Sequence, residues 1–201
     1  MKKIIALTSV IATLLLSGCS QVGAAATVGN TKISQATVQA SIDSILAERA
    51  KIDTSQMQLE IGEDLNRSQL RLHLLSQILN DVSKKVKMTV SKAEIDTRRA
   101  SILEQVGGVE KLPTALVGAG ISPLDFDLYL QSIIISDKLS QALTASGVAE
   151  ADIGTQIQKL VVDMANEEKV VVNPRYGVWD AVNANIVATD AAGSAVTPAT
   201  K

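Results

Sequence analysis

Two residues of this chain stand out chemically, because it contains a single cysteine, Cys19, and a single histidine, His73. With so few soft ligands, a zinc site of the usual ligand set is not expected. A Ser-His-Asp triad would have to use His73, and no serine lies in the glycine pattern of a nucleophile elbow. On a helix, His73 would lie in line with polar residues, namely Asn66, Gln69, Asn80 and Lys84. We therefore predict a solvated histidine without a catalytic role.

The glycines near the middle of the chain do not form a phosphate-binding loop. The stretch "VGGVEKLPTALVGAG" (106–120) lacks the lysine-serine pair of such a loop, and its glycines separate helical segments. The carboxylates are scattered over predicted helix surfaces and caps, without an obvious converging pair. The sequence therefore predicts no enzyme active site, cofactor or metal.

Cys19 lies at the end of an export signal. Lys2 and Lys3 form a positive start, and the apolar run 4–16 is too short to span a bilayer comfortably. The run ends in "LSGC" (16–19), which resembles the lipobox of bacterial lipoproteins. The resemblance implies that residues 1–18 are removed and that the Cys19 thiol receives a diacylglycerol, so that the protein is extracytoplasmic and lipid-anchored to a bacterial membrane. The alternative is an ordinary signal peptide with an incidental cysteine.

Length, composition and charge exclude further classes of protein. The 201 residues suffice for one domain with a substantial core, and the 46% of hydrophobic residues are mostly aliphatic. A net charge of −2 argues against nucleic-acid binding, which needs a basic surface to neutralise phosphates. No apolar run after the first twenty residues approaches the roughly 20 residues that a membrane-spanning helix needs.

Local signals predict a hairpin and four helix starts. The stretch "TVGNTKIS" (27–34) indicates a β-hairpin with Gly29 at the first position of a type II′ turn. Each helix start combines an apolar residue with a capping position, and these positions are Ser34, Ser91, Ser122 and Ala149. Two of the three serines have an acid three residues later, Glu94 and Asp125, which predicts capping boxes.

The helical segments differ in their apolar patterns. The segment 61–86 has apolar residues three and four apart, which predicts one seam for packing against another helix: Ile61, Leu65, Leu72, Leu75, Leu79, Val82 and Val86. The segment from Pro123 to about Leu143 is apolar around most of its circumference, so we expect it to be central. The last helix is expected at about Glu150–Glu168, with an apolar stripe on one side.

The stretch "VVVNPRYGVWD" (170–180) contains Tyr176 and Trp179, two of only four aromatic residues in the chain. Its valines are typical of a strand, which Pro174 should end or place at an edge. The two rings could close the fold or bind a ligand. We favour the structural role, because large rings contribute most to a core that has few of them.

The order of these features resembles the chaperone domain of SurA/PrsA-type extracytoplasmic foldases. The resemblance covers about residues 25–180 and includes the hairpin, "GISPLDFDLYLQSIIISDKLSQAL" (120–143) and "NPRYGVWD" (173–180). It departs from the family at the turn, which reads Gly29-Asn30 instead of Asn-Gly. Family members often carry a parvulin prolyl-isomerase domain between the central and last helices, and this chain has no room for one there.

The resemblance implies a mainly α fold of about five to six helices with a small β-hairpin joined by a C-terminal strand. Residues 170–172 would pair with the hairpin near 26–28, and Tyr176 and Trp179 would cover the junction of sheet and helices. We therefore predict a lipoprotein signal peptide at 1–18, a lipidated linker at 19–26, a chaperone domain at 27–180 and a disordered tail at 181–201.

The function expected from this organisation is that of a membrane-anchored extracytoplasmic chaperone. It would bind unfolded or partly folded exported polypeptides without nucleotide and without prolyl-isomerase activity, and its acyl chains at Cys19 would contact the lipid bilayer. The alternative is a structural or adaptor lipoprotein that binds one defined envelope partner. A solute-binding lipoprotein is less favoured, because the sequence has no two-lobed α/β pattern.

Overall fold

The computed structural model describes residues 22–189, and they form six α-helices and five short β-strands. The helices are α1 (Gln35–Arg49), α2 (Gly62–Lys85), α3 (Lys92–Val106), α4 (Leu112–Gly118), α5 (Phe126–Ala145) and α6 (Glu150–Glu167). The strands are β1 (Ala24–Val28), β2 (Thr31–Ser34), β3 (Val171–Val172), β4 (Val178–Asp180) and β5 (Asn185–Val187). The predicted class, mainly α with a small hairpin, is confirmed.

The hairpin of β1 and β2 forms as its sequence predicts. Val28 pairs with Thr31, which leaves a two-residue turn, and Gly29 has a φ of 55° as the first turn position requires. The backbone N–H of Gly29 donates to the carbonyl of Glu168 at 2.7 Å. A Cβ atom at Gly29 would lie 1.9 Å from the Glu168 carboxylate, so the turn packs closely on the end of α6.

β1 is the centre of a three-stranded antiparallel sheet with the order β2-β1-β3. Ala26 pairs with Val172, which confirms the predicted pairing of the C-terminal strand with the hairpin. The predicted linker 19–26 is wrong at its end, because Ala24–Ala26 belong to β1 and are at most 4% exposed. Alanine is depleted in strands, but here its small side chain allows α1 and α2 to pack on the sheet.

Three of the four predicted helix starts have side-chain caps. Ser34 accepts a hydrogen bond from the N–H of Thr37, and Ser91 forms the complete capping box with Glu94. Ser122 accepts from the N–H of Leu124 at the start of a 3₁₀ turn, Pro123–Asp125, that leads into α5. The second capping box is therefore wrong in its acidic half, because the Asp125 side chain is buried and turns toward another helix.

The packing of α2 differs from the predicted seam. Its buried residues are Leu65, Gln69, Leu70, Leu74, Ser76, Ile78, Val82 and Ser83. Of the seven predicted seam positions only Leu65 and Val82 are buried, whereas Ile61 and Val86 are 74% and 47% exposed. The reason is that α2 carries a second apolar series at intervals of four residues, from position 70 to 82, and α1, α6 and β1 pack around it. The predicted single seam is wrong.

Two hydrophobic clusters make up the core. The larger one lies among the sheet, α1, α2, α6 and the C-terminal half of α5. The smaller one contains Leu116, Ile121, Phe126 and Leu130, with partly buried residues of α3 and α4 around them. α5 contributes to both clusters, which confirms its predicted central position.

α3 contacts the rest of the fold through both apolar and charged side chains. None of its residues is buried, although Ile95 and Ile102 pack against the smaller cluster. Ion pairs join α3 to α5, and they are Arg98–Asp137, Arg99–Asp127 and Lys138–Glu94. The Arg99 guanidinium also lies 5.3 Å from the centre of the Phe126 ring.

The fold continues past the predicted domain end at Asp180. β5 pairs with β4 in a hairpin whose turn is fixed by the Asp180 carboxylate, which accepts from the N–H groups of Val182 and Asn183. Ala184 and Ile186 are 2% and 4% exposed in the larger cluster. The predicted tail 181–201 is therefore wrong for its first part, because the small and polar residues there also suit a tight hairpin.

The aromatic residues of the C-terminal stretch pack into the fold. Tyr176 is 6% exposed within the larger cluster, and Trp179 packs against that cluster while remaining partly exposed. Burial raises the pKa of Tyr176 above its ordinary value. These contacts place both rings at the junction of the sheet and the helices, as predicted.

Some predictions concern residues that the structure does not describe. Cys19 and the signal 1–18 lie outside 22–189, and so does the rest of the tail, 190–201. No helix between residues 22 and 189 combines the length and apolar character needed to cross a bilayer.

The C-terminal hairpin should contribute to global stability. Ile186→Ala should lower the free energy of unfolding by about 2–5 kcal/mol, because it removes a buried side chain and leaves a cavity. Val182→Ala is the matched control, since Val182 lies in the same hairpin but is 79% exposed. Urea denaturation followed by circular dichroism measures both variants, and equal stabilities would contradict the assignment of 181–187 to the core.

Candidate functional site

The long helix α2 has a second apolar row beside its buried stripe. Leu72, Leu75 and Leu79 are only partly buried, although Leu75 and Leu79 touch the larger cluster on one side. These are residues of the predicted seam, but no helix covers them completely. Together they form the floor of an open groove of about 570 Å³.

The walls of the groove come from both sides of α2. One wall is the connection between α1 and α2, which contributes Leu59. The other wall consists of residues 117–121, which are the end of α4 and the turn after it, together with Tyr129 of α5. The groove therefore lies where the two hydrophobic clusters meet, and its lining is largely apolar along the floor and the second wall.

Gln69 fixes the second wall to the helix. Its side chain is 1% exposed, and Nε2 donates to the backbone carbonyl of Gly120 at 2.8 Å. A buried amide with this bond holds the segment after α4 at a set distance from α2, because losing the bond would leave polar groups unsatisfied. The groove is thus built into the fold by a contact between residues far apart in sequence.

The length of the groove suits an extended peptide. Its lining residues on α2 run from Ser68 to Leu79, which corresponds to about 16 Å along the helix axis. An extended chain advances about 3.3 Å per residue, so about five residues of a peptide fit beside the helix.

Charged groups lie at the end of the groove that is near the N-terminal part of the apolar row of α2. Arg49 and Arg71 both line it, and Arg49 Nη1 donates to the backbone carbonyl of Glu60 at 2.7 Å. The Glu60 side chain is exposed on the same rim. Arg71 precedes Leu72 on α2, so the charges are near the N-terminal part of the apolar row.

His73 does not lie on a solvated face, and that prediction is wrong. Its Nε2 is 2.9 Å from the hydroxyl of Ser41 on α1 and 3.5 Å from Oδ1 of Asp125. Ser41 and Asp125 are 1% and 7% exposed. The polar face of α2 is covered because α1 and the 3₁₀ turn before α5 both pack there.

The arrangement of these three residues differs from a catalytic triad. In a triad the hydroxyl and the carboxylate contact opposite nitrogens of the imidazole. Here Ser41 and Asp125 are both near Nε2, and the Ser41 hydroxyl donates to the carbonyl of Thr37 at 3.2 Å. The geometry suits a buried polar contact that joins α1, α2 and the turn before α5.

A second cavity, of about 480 Å³, lies between α3 and α5. Its charged residues pair with one another, as Arg98 with Asp137 and Lys138 with Glu94. The hydrogen bond from Lys138, together with those from Ser91, lowers the pKa of Glu94 to about 2. The charged groups of this cavity therefore neutralise one another, and the leucine row of α2 does not line it.

Sequence reasoning found the groove leucines but assigned them a different role. It treated the row 72, 75 and 79 as part of a covered seam, whereas these residues stay partly accessible. The sequence did contain an indication of the difference, because α2 has two apolar series, of which one is buried and the other lines the groove. The charged rim was missed, because Arg49 lies on another helix and comes close only in the fold.

The sequence matches no protein-family model, and no curated protein or solved structure is significantly similar to it.

Burial of His73 should make the fold sensitive to mild acid. Burial lowers the pKa of His73 below its ordinary value of 6.5, and the Asp125 carboxylate opposes this in part. The unfolded chain then binds a proton more readily, so this contribution to stability is complete above pH 6.5 and declines as the pH falls toward the lower folded-state pKa.

The measurement is the melting temperature at pH 7.5 and at pH 5.0 for the parent chain and for His73→Gln. The parent should lose more stability than the variant over this interval, because glutamine does not titrate. An equal loss in both proteins would contradict a depressed pKa at His73.

Proposed function

We propose that the protein is a membrane-anchored extracytoplasmic chaperone that holds extended segments of unfolded exported proteins in the groove beside α2. The observation that carries the proposal is the row of partly exposed leucines, Leu72, Leu75 and Leu79, on the floor of an open groove. Covering such apolar surface with a client side chain is favourable by about 25 cal/mol per Å².

The form of the groove favours many clients over one. It is concave and about five extended residues long, and its floor consists of flexible aliphatic side chains. Surfaces that repack around different side chains support promiscuous binding. A single-partner adaptor would be favoured by a flat patch with fixed charge complementarity, whereas the charges of the α3–α5 cavity already neutralise one another.

Holding an unfolded segment needs no catalytic group and no nucleotide. Aggregation follows from transient exposure of apolar surface, and reversible covering of that surface is sufficient to slow it. The proposal includes no prolyl-isomerase activity. Only residues 146–149 separate α5 from α6, and the foldases that this sequence resembles often carry their isomerase domain at that place.

Membrane attachment through Cys19 is part of the same proposal. β1 begins at Ala24, five residues after Cys19, so the sheet can lie at most about 18 Å from the acylated residue. Such a short connection would keep the groove close to the bilayer, where exported chains emerge unfolded. The rival proposal, an adaptor lipoprotein, shares this anchor and differs in the number of partners.

Removing groove surface should weaken the chaperone without unfolding it. Leu75→Ser should raise the concentration needed to half-suppress aggregation about fivefold, which corresponds to about 1 kcal/mol of lost apolar contact. The measurement is light scattering of a denatured reporter protein diluted into buffer with the full chain.

Leu160→Ser is the matched control, because Leu160 is also partly buried against the larger cluster but does not line the groove. It should suppress aggregation as the parent does. No suppression by the parent chain at molar excess would overturn the chaperone proposal and favour the adaptor. Equal activity of Leu75→Ser and the parent would move the binding surface away from this groove.

A further inference from the structure

The groove has an excess of positive charge in a chain that is acidic overall. Its charged lining residues are Arg49, Arg71 and Glu60, so the lining carries a net charge of +1, while the whole chain carries −2. A positive rim on an otherwise acidic protein is a feature that apolar binding alone does not explain.

The two groove arginines also differ from most other arginines of the protein. Arg67, Arg98 and Arg99 are each in an ion pair with an aspartate. Within residues 22–189 neither Arg49 nor Arg71 belongs to an ion pair. Their guanidinium groups therefore keep donors for a partner that enters the groove.

Each arginine is available in a different way. Arg71 is exposed, so its side chain can turn toward a bound peptide. Arg49 is partly buried and is oriented by its bond to the carbonyl of Glu60, while its buried Nε has no hydrogen-bond partner. Guanidinium groups bind carboxylates through two parallel hydrogen bonds, which makes a carboxylate the best complement for this rim.

We infer that the groove selects peptide segments in which several apolar residues are followed or preceded by an aspartate or glutamate. This inference rests on the proposed function and adds a charge preference to it. The carboxylate would pair with Arg71 and Arg49 while apolar side chains cover Leu75 and Leu79. Position 71 is eight residues from position 79 on α2, or about 12 Å, so the acid and the farthest apolar residue stand three to four residues apart.

The occupant is an internal acidic side chain and not a chain terminus. The groove is open to solvent, and unfolded clients pass through it as parts of longer chains. The Glu60 carboxylate on the rim repels a partner carboxylate, so the expected preference is moderate.

The test uses peptides with both ends blocked and a fluorescent label, in which three leucines alternate with serines. One pair carries aspartate or asparagine at the N-terminal end, and a second pair carries it at the C-terminal end. Fluorescence anisotropy with the full chain gives the dissociation constants. The aspartate form of at least one pair should bind about threefold to tenfold more tightly than its asparagine form.

Two variants and one change of salt locate the effect. Arg71→Gln should remove most of the preference, since it deletes an exposed cation, and 0.5 M salt should do the same through screening. Lys111→Gln makes the same change of net charge at an exposed lysine outside the groove and should leave the preference intact.

The outcomes separate the two proposals. Tight binding of the aspartate and asparagine forms alike would overturn the charge preference and support the chaperone. Failure of every peptide to bind would overturn both proposals. A leucine-serine peptide with a free C-terminal carboxylate is a further probe. If it binds more tightly than the aspartate forms, the groove prefers a chain terminus, and the claim that an internal acidic side chain is the occupant is wrong. The last probe is a variant of the protein truncated after Thr189. If it binds all peptides far more tightly than the full chain does, the protein's own C-terminal segment is the occupant of the groove, and the inference is wrong.

Discussion

Burial of α2 is the constraint on which the rest of the structure depends. Leu70, Leu74 and Ile78 are fully buried, and α1, α5, α6 and β1 all pack on this one helix. With only four aromatic residues in the chain, aliphatic side chains must supply nearly all the apolar burial, at about 1.5–3 kcal/mol for each fully buried one. A helix of 24 residues provides the longest continuous surface for this purpose.

The groove follows from the same constraint. α5 must serve both the larger and the smaller cluster, and the smaller cluster is attached on the side of α2 where Leu72, Leu75 and Leu79 emerge. The bond from Gln69 to Gly120 sets how near the smaller cluster can approach. The contact of His73 with Ser41 joins α1 to α2 on the adjoining polar face.

Much of the fold could be predicted from local sequence, because local signals decided it. The caps at Ser34 and Ser91 set helix starts, and the turn at Gly29 set the hairpin. The predictions were wrong where tertiary packing determines the environment of a residue. The residue pattern of α2 by itself predicts a solvent-exposed His73, and this side chain is covered only because α1 packs on the same face of α2. Residues 185–187 read as tail, although Gly177 allows the Val187 carbonyl to approach within 2.2 Å of where a Cβ would lie. The groove needed both clusters in place before its floor could be distinguished from a seam.

The central claim is that the leucine row of α2 contacts unfolded polypeptide. A photoreactive benzophenone side chain placed at position 72 or 79 tests this directly with an unfolded, labelled client. Position 46 is the comparison, because Leu46 is an apolar residue that is 47% exposed and does not line the groove. We expect strong crosslinks to the client from positions 72 and 79 and only background crosslinking from position 46. Crosslinks that are equally strong from 46, or absent from 72 and 79, would contradict it.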